Sequence, residues 1–236
     1  MQRDVLIERF FTTLISGDRP GSRAIVDEVI AADCPAEKIL SRLFWPTLEH
    51  IQTLYRADQL SQLAFNYSTR LMRNLIAQMQ PRLETNDARS TRVLIACGED
   101  HLEELNAQIA ADLLEADGYT VFFAGGGIAN DEIVAQIGEV NANVLLVFGA
   151  VASTVPYTRM LIDRLHEIGV CPKLQIAVGG GVFNRAEGLA EEIGADIWAK
   201  DPEELIQVMG QQRERRMDDG QRTVGRKRKT KATAAA

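Results

Sequence analysis

The chain has 236 residues, 46% of them hydrophobic, and a formal net charge of −7. That composition supports a sizeable core and excludes a disordered body, while the longest apolar run, Val144 to Ala152, is too short to span a bilayer. Three cysteines without metal-ligand spacing, and a first stretch without the apolar centre of a signal peptide, set the expectation of a soluble cytoplasmic protein that contacts no membrane.

Residues 4–15 carry apolar positions at helical spacing, and the turn residues Ser16 to Gly21 close that helix. A second helix is expected over 22–32. Asp33-Cys34-Pro35 caps a third, which Pro46 should kink. A fourth helix places Leu60, Leu63, Ala64, Tyr67, Leu71, Leu75 and Met79 on one face. Four amphipathic helices joined by short turns make a bundle over 1–82, followed by a polar linker over 83–90.

From Arg92 the rhythm changes to strand then helix. Strands are expected near 92–97, 119–123, 143–149, 174–178 and 196–199, with helices near 101–117, 130–139, 154–169, 185–193 and 202–210. This predicts an α/β domain over 91–210: a five-stranded parallel, flavodoxin-like, doubly wound sheet in the order 2-1-3-4-5. Residues 211–236 form a basic tail, expected to be disordered. It holds nine Lys or Arg against three acids, a net of +6 that leaves −13 on residues 1–210. An acidic body argues against nucleic-acid binding by the folded part; the tail could still bind a polyanion non-specifically.

Three strand ends converge on the crevice of such a sheet: Gly98 to His101, Gly149 to Thr154, and Gly179, Gly180 and Gly181. Asp100 reads as an N-cap with Glu103 completing a capping box, which starts a helix beside His101. Glu99 is close enough in sequence to orient the imidazole and leave its other nitrogen free for a metal. Ser153 and Thr154 can donate hydrogen bonds to a ligand or cap the following helix. The glycine triplet lets a ligand approach the backbone, as a tight turn would also require. No constellation of nucleophile, base and oxyanion donors is visible, so catalysis is not the expectation.

Gly98-Glu-Asp-His101, Leu113-Leu-Glu-Ala-Asp-Gly118-Tyr, Gly179-Gly180 and Ile193-Gly-Ala-Asp196-Ile-Trp-Ala together resemble the cobalamin-binding module of methionine synthase, corrinoid carriers and light-dependent regulators. The resemblance covers a four-helix cap, a linker and a corrinoid-binding domain. It implies that His101 is the lower ligand of cobalt, with Glu99 behind it in place of the family's aspartate. The chain also departs from the family. Glu104 stands where a glycine leaves room for the corrinoid's nucleotide tail, Phe148 replaces a serine, and Ala150 replaces a leucine. Above the corrin, Tyr55, Phe65 and Asn66 stand where light-responsive members carry Trp and a Glu-His pair, so no upper histidine is available; Tyr55 alone could act as a lid.

The expected function is therefore that of a cobalamin-binding, non-catalytic sensor or regulatory adaptor that meets a protein partner. One alternative is a corrinoid carrier serving separate methyltransferases. Another is a degenerate domain that binds haem or no ligand and acts by protein contacts.

Overall fold

A computed structural model describes residues 3–169 and 171–217. The first helix, α1, is Arg3–Ser16, and α2 is Arg19–Ala31. The latter starts earlier than its apolar pattern suggests, because Asp18 caps it by accepting from Gly21 N at 2.9 Å and Pro20 fits its first turn. The third rod is composite: α3 (Ala36–Ile39), a π-helical segment (Leu40–Phe44) and α4 (Trp45–Arg56). The expected kink at Pro46 is thus absorbed as a change of helical register. Proline removes the N–H that would have bonded Arg42 O, and the Arg3 guanidinium donates to that carbonyl instead, at 3.3 Å. Helix α5 (Gln62–Met79) completes the bundle.

The strands are β1 (Arg92–Cys97), β2 (Thr120–Gly125), β3 (Val144–Phe148), β4 (Gln175–Gly179) and β5 (Ile197–Ala199). They pair in parallel in the order β2-β1-β3-β4-β5, the expected one. Between them run α6 (His101–Ala116), α7 (Asn130–Glu139), α8 (Thr154–Ile168) and, after β5, α11 (Pro202–Gln211). The single helix expected over 185–193 is two short ones, α9 (Gly181–Arg185) and α10 (Leu189–Ile193), separated where Gly188 turns left-handed.

Each sheet face has its own core. One packs Leu94, Leu145, Val147 and Val178 against Ile133 of α7 and Leu161 of α8. The other joins Ile95, Leu146 and Phe148 to Leu102 and Leu105 of α6, and continues without a break into Trp45, Leu48, Met72 and Phe10 of the bundle. Cap and sheet therefore share a core across α6.

The linker is bound rather than free: Asn86 N donates to Ala116 O at 2.7 Å, and Arg89 pairs with Asp117 at 2.6 Å. The described part of the expected tail, 211–217, is likewise attached, with Gln211 ending α11. Gln175 Nε2 donates to Gln212 O at 2.7 Å and Met217 N to Asp196 Oδ1 at 2.6 Å. The rest of the expected basic tail lies outside the described residues.

Candidate functional site

At the end of β1, Asp100 caps α6 by accepting from Leu102 N at 2.8 Å, as its position in the sequence suggests. The reciprocal half of the capping box does not form. Glu103 turns away from Asp100 and crosses to the loop after β3, where Oε1 accepts from Ala150 N at 2.5 Å, Val151 N at 3.0 Å and Thr154 Oγ1 at 2.7 Å. Its carboxylate is 1% exposed. Gly98 makes that crossing possible, since a Cβ there would collide with Glu103 Oε2. Thr154 is accordingly a partner of Glu103, while Ser153 precedes α8 without making a side-chain cap.

His101 occupies the first turn of α6 and is exposed. Glu99 is also exposed, and no hydrogen bond joins the two among the described residues; Glu99 lies beside Gly127 instead. The expected orienting role of Glu99 is not formed here. Glu104 does not project into a buried slot. It makes a two-pronged ion pair with Arg73 of α5, at 3.0 and 2.8 Å, linking sheet domain to cap. The hydrogen bond from Arg73, ahead of opposing burial, holds the Glu104 carboxyl below its ordinary range and raises the guanidinium in return.

The other strand ends lie beneath the cap. The Phe148 ring is 2% exposed, meets Trp45 edge-on at 6.2 Å between centroids, and lies against Gly179. Gly180 has φ 102°, and a Cβ on it would strike Gly149 O, so the turn after β4 requires glycine for its own closure. Gln52 of α4 packs close to Gly181, and Arg185 donates to Ala150 O at 2.7 Å. Further out, Glu203 of α11 gathers Lys38, Ser41 and Arg42 of the third rod at 2.8–3.2 Å. Those bonds, that from Arg42 foremost and opposed by burial, lower its carboxyl to about 2. Tyr55 stacks on Phe65 at 4.0 Å and donates to Gln62 Oε1 at 2.5 Å within the bundle.

Expected site residues thus fall into separate groups. Gly98, Glu99, Ser153 and Thr154 line a cavity of about 710 Å³ together with Glu103, Ile128, Val151 and Tyr157. Phe148 and the glycine turn lie under the cap. His101 and Glu104 sit on α6. Sequence reasoning missed Arg73 and Gln52, and it read Glu103 as half of a capping box rather than as a partner of the loop after β3.

These residues fit a metal-bearing macrocycle in one respect and resist it in another. His101 is exposed at the carboxyl edge of β1 and free to ligate, and no group of three or more His, Cys, Asp or Glu among the described residues could hold a bare metal ion. A metal bound there would bring its remaining donors with it. Cys97 offers no thiolate, because burial, then Glu103 and Glu104, push it up to about 12. The region between α6 and Gly179, however, is occupied by the buried side chains of Phe148, Leu102 and Leu105, which stand against a threaded tail.

Fold and site define an open parallel sheet of the kind that takes ligands at its strand ends, beneath a helical cap. Two family models, each described as a B12 binding domain, match residues 91–207 and 6–80, and the chain belongs to that family. It is 21% identical over 213 residues to monomethylamine corrinoid protein 2 of Methanosarcina barkeri, covering 88% of this chain and 97% of that one. Dimethylamine corrinoid protein 1 of Methanosarcina mazei is 28% identical over 108 residues, 46% of this chain and 49% of the relative. The chain thus spans about half the length of the dimethylamine corrinoid proteins it matches. The solved structure of the Methanosarcina barkeri monomethylamine corrinoid protein superposes with a TM-score of 0.76 at 19% identity, over 87% of this chain and 97% of that one. The relatives are corrinoid proteins, which favours a corrinoid over haem. No helix among the described residues is long and apolar enough to cross a membrane.

Proposed function

We propose that this chain is a corrinoid carrier, passing a methyl group between separate methyltransferases, with His101 as the lower ligand of cobalt. The observation that carries this reading is an exposed histidine at the first turn of α6, in a chain that aligns with a corrinoid protein along nearly the whole of both. The bound corrinoid would supply the cobalt that holds the methyl group. The chain's own part is to present one imidazole, to keep it accessible, and to cover the strand ends with the cap. The relatives' names favour this carrier reading over the sensor that the sequence suggested.

The sensor or adaptor reading keeps one observation in its favour. The Glu104–Arg73 and Glu203 contacts hold the cap against the sheet domain, and Phe148 fills the space beneath it. A partner could read such a closed state.

Purified protein incubated with hydroxocobalamin and desalted should retain the corrinoid and show the absorption change of histidine ligation. His101→Ala should lose that change. Protein loaded with methylcobalamin should give up its methyl group to an added thiol, which leaves as the methyl thioether, when a corrinoid-dependent methyltransferase and that thiol are added together. Retention of the methyl group in a stoichiometric complex would favour the adaptor, and no retention of corrinoid would defeat both readings.

A further inference from the structure

Glu103 has one oxygen fully used and the other unused. Oε1 takes three donors from the loop after β3, whereas Oε2 is buried and has no partner among the described residues. That oxygen lies beside Gly98, and Gly98 and Glu103 both line the cavity of about 710 Å³, a volume usual for small-molecule sites. A buried carboxylate oxygen without a donor costs free energy that a ligand's N–H would recover.

The walls define what kind of ligand. The cavity opens at the N-terminal ends of α6, α7 and α8, a position that ordinarily attracts anions. Here the chain's own carboxylate has already taken the loop's N–H groups. Glu99 and Asp100 add two more carboxylates at the rim, and no Lys, Arg or His is among the lining residues. An entering anion would face the carboxylates of Glu99, Asp100 and Glu103 with no basic side chain to offset them. Ile128, Val151 and the ring of Tyr157 provide apolar surface, and the Tyr157 hydroxyl is already committed to Ile128 O at 2.5 Å. With no set of three metal-capable side chains among the described residues, a bare metal ion is not the occupant.

We propose that this cavity is a second binding site, for a small organic cation: an ammonium or amidinium group carried on an apolar body, its N–H reaching Glu103 Oε2 past Gly98. Gly98 is the gate atom of the arrangement, since any side chain there would displace the carboxylate. His101 is not among the residues that line this site.

The test is calorimetric titration of the full chain with benzamidine, with benzoate and benzyl alcohol as same-shape anionic and neutral controls. Benzamidine should bind saturably and the controls should not. Glu103→Gln should weaken benzamidine about tenfold, the loss expected of one hydrogen bond to a charged group. Because that variant also disturbs the loop after β3, Ser153→Phe provides a second reading: Ser153 is exposed at the rim, so the fold tolerates the change while the entrance closes, and binding should vanish. Equal binding of benzamidine and benzoate would overturn the proposal. So would benzamidine binding that neither variant alters, or no binding at all, in which case a water satisfies Oε2.

Discussion

Asp112 of α6 is 2% exposed; Gln108 donates to its Oδ1 at 2.7 Å, and Oδ2 has no partner among the described residues. Burial, outweighing the Gln108 bond, raises its carboxyl to about 6 from 3.8. The folded state therefore holds a proton there more tightly than the unfolded chain does, so stability falls as pH rises from about 4 to about 6 and stays reduced above. Asp112→Asn should be more stable than the parent by about 1–2 kcal/mol at pH 7, with the difference disappearing near pH 4, read from urea midpoints. Glu104→Gly should behave differently. Its ion pair with Arg73 is half-exposed and contributes about 0.5 kcal/mol, and the glycine opens no path while Phe148 remains. Phe148→Ser should cost about 3–5 kcal/mol in stability yet strengthen cobalamin binding while leaving cobinamide, which lacks the tail nucleotide, unchanged. Equal effects on the two corrinoids, by absorption titration, would place the obstruction elsewhere.

At the scale of elements, the third rod is held to the sheet domain by Glu203, whose three donors all come from Lys38 to Arg42. A lowered carboxyl contributes stability above its unfolded value near 4.5 and loses it as pH falls through about 2, so this anchor survives mild acid. Glu203→Ala should cost only about 1 kcal/mol, because the group is partly exposed, but should speed hydrogen exchange in Leu40–Phe44 more than in α5. The sequence made the sheet legible because Val93 to Ala96 and Val144 to Phe148 are apolar runs bounded by breakers, which report burial on both faces directly. It did not make the third rod's register legible: a proline in a helix states that a bond is missing, not which side chain repairs it. Glu103 was misread for a related reason. Its spacing from Asp100 suits a capping box, and only the neighbouring loop, 47 residues away along the chain, offers the better set of donors. His101 was placed correctly at a helix start because Gly98 and the Asp100 cap hold even though the Glu103 half of the capping box does not, while its relation to Glu99 depended on side-chain directions that spacing does not encode.

For the whole molecule, the core shared between bundle and sheet matters more than the boundary at 83–90. Leu102 and Leu105 of α6 lie in the same apolar cluster as Trp45, Met72 and Phe10 of the cap. Heat should therefore unfold residues 3–217 in one transition, with calorimetric and van't Hoff enthalpies equal; two resolved transitions would mean that the cap is stable by itself. The same continuity has a consequence for how the protein is made. The cap leaves the ribosome before the helix that completes its core. At about 5–20 residues per second, Met72 and Trp45 wait some seconds for α6 to follow. During that interval the nascent bundle is a surface in need of cover, and it stays partly bare until β3 brings Phe148 to Trp45.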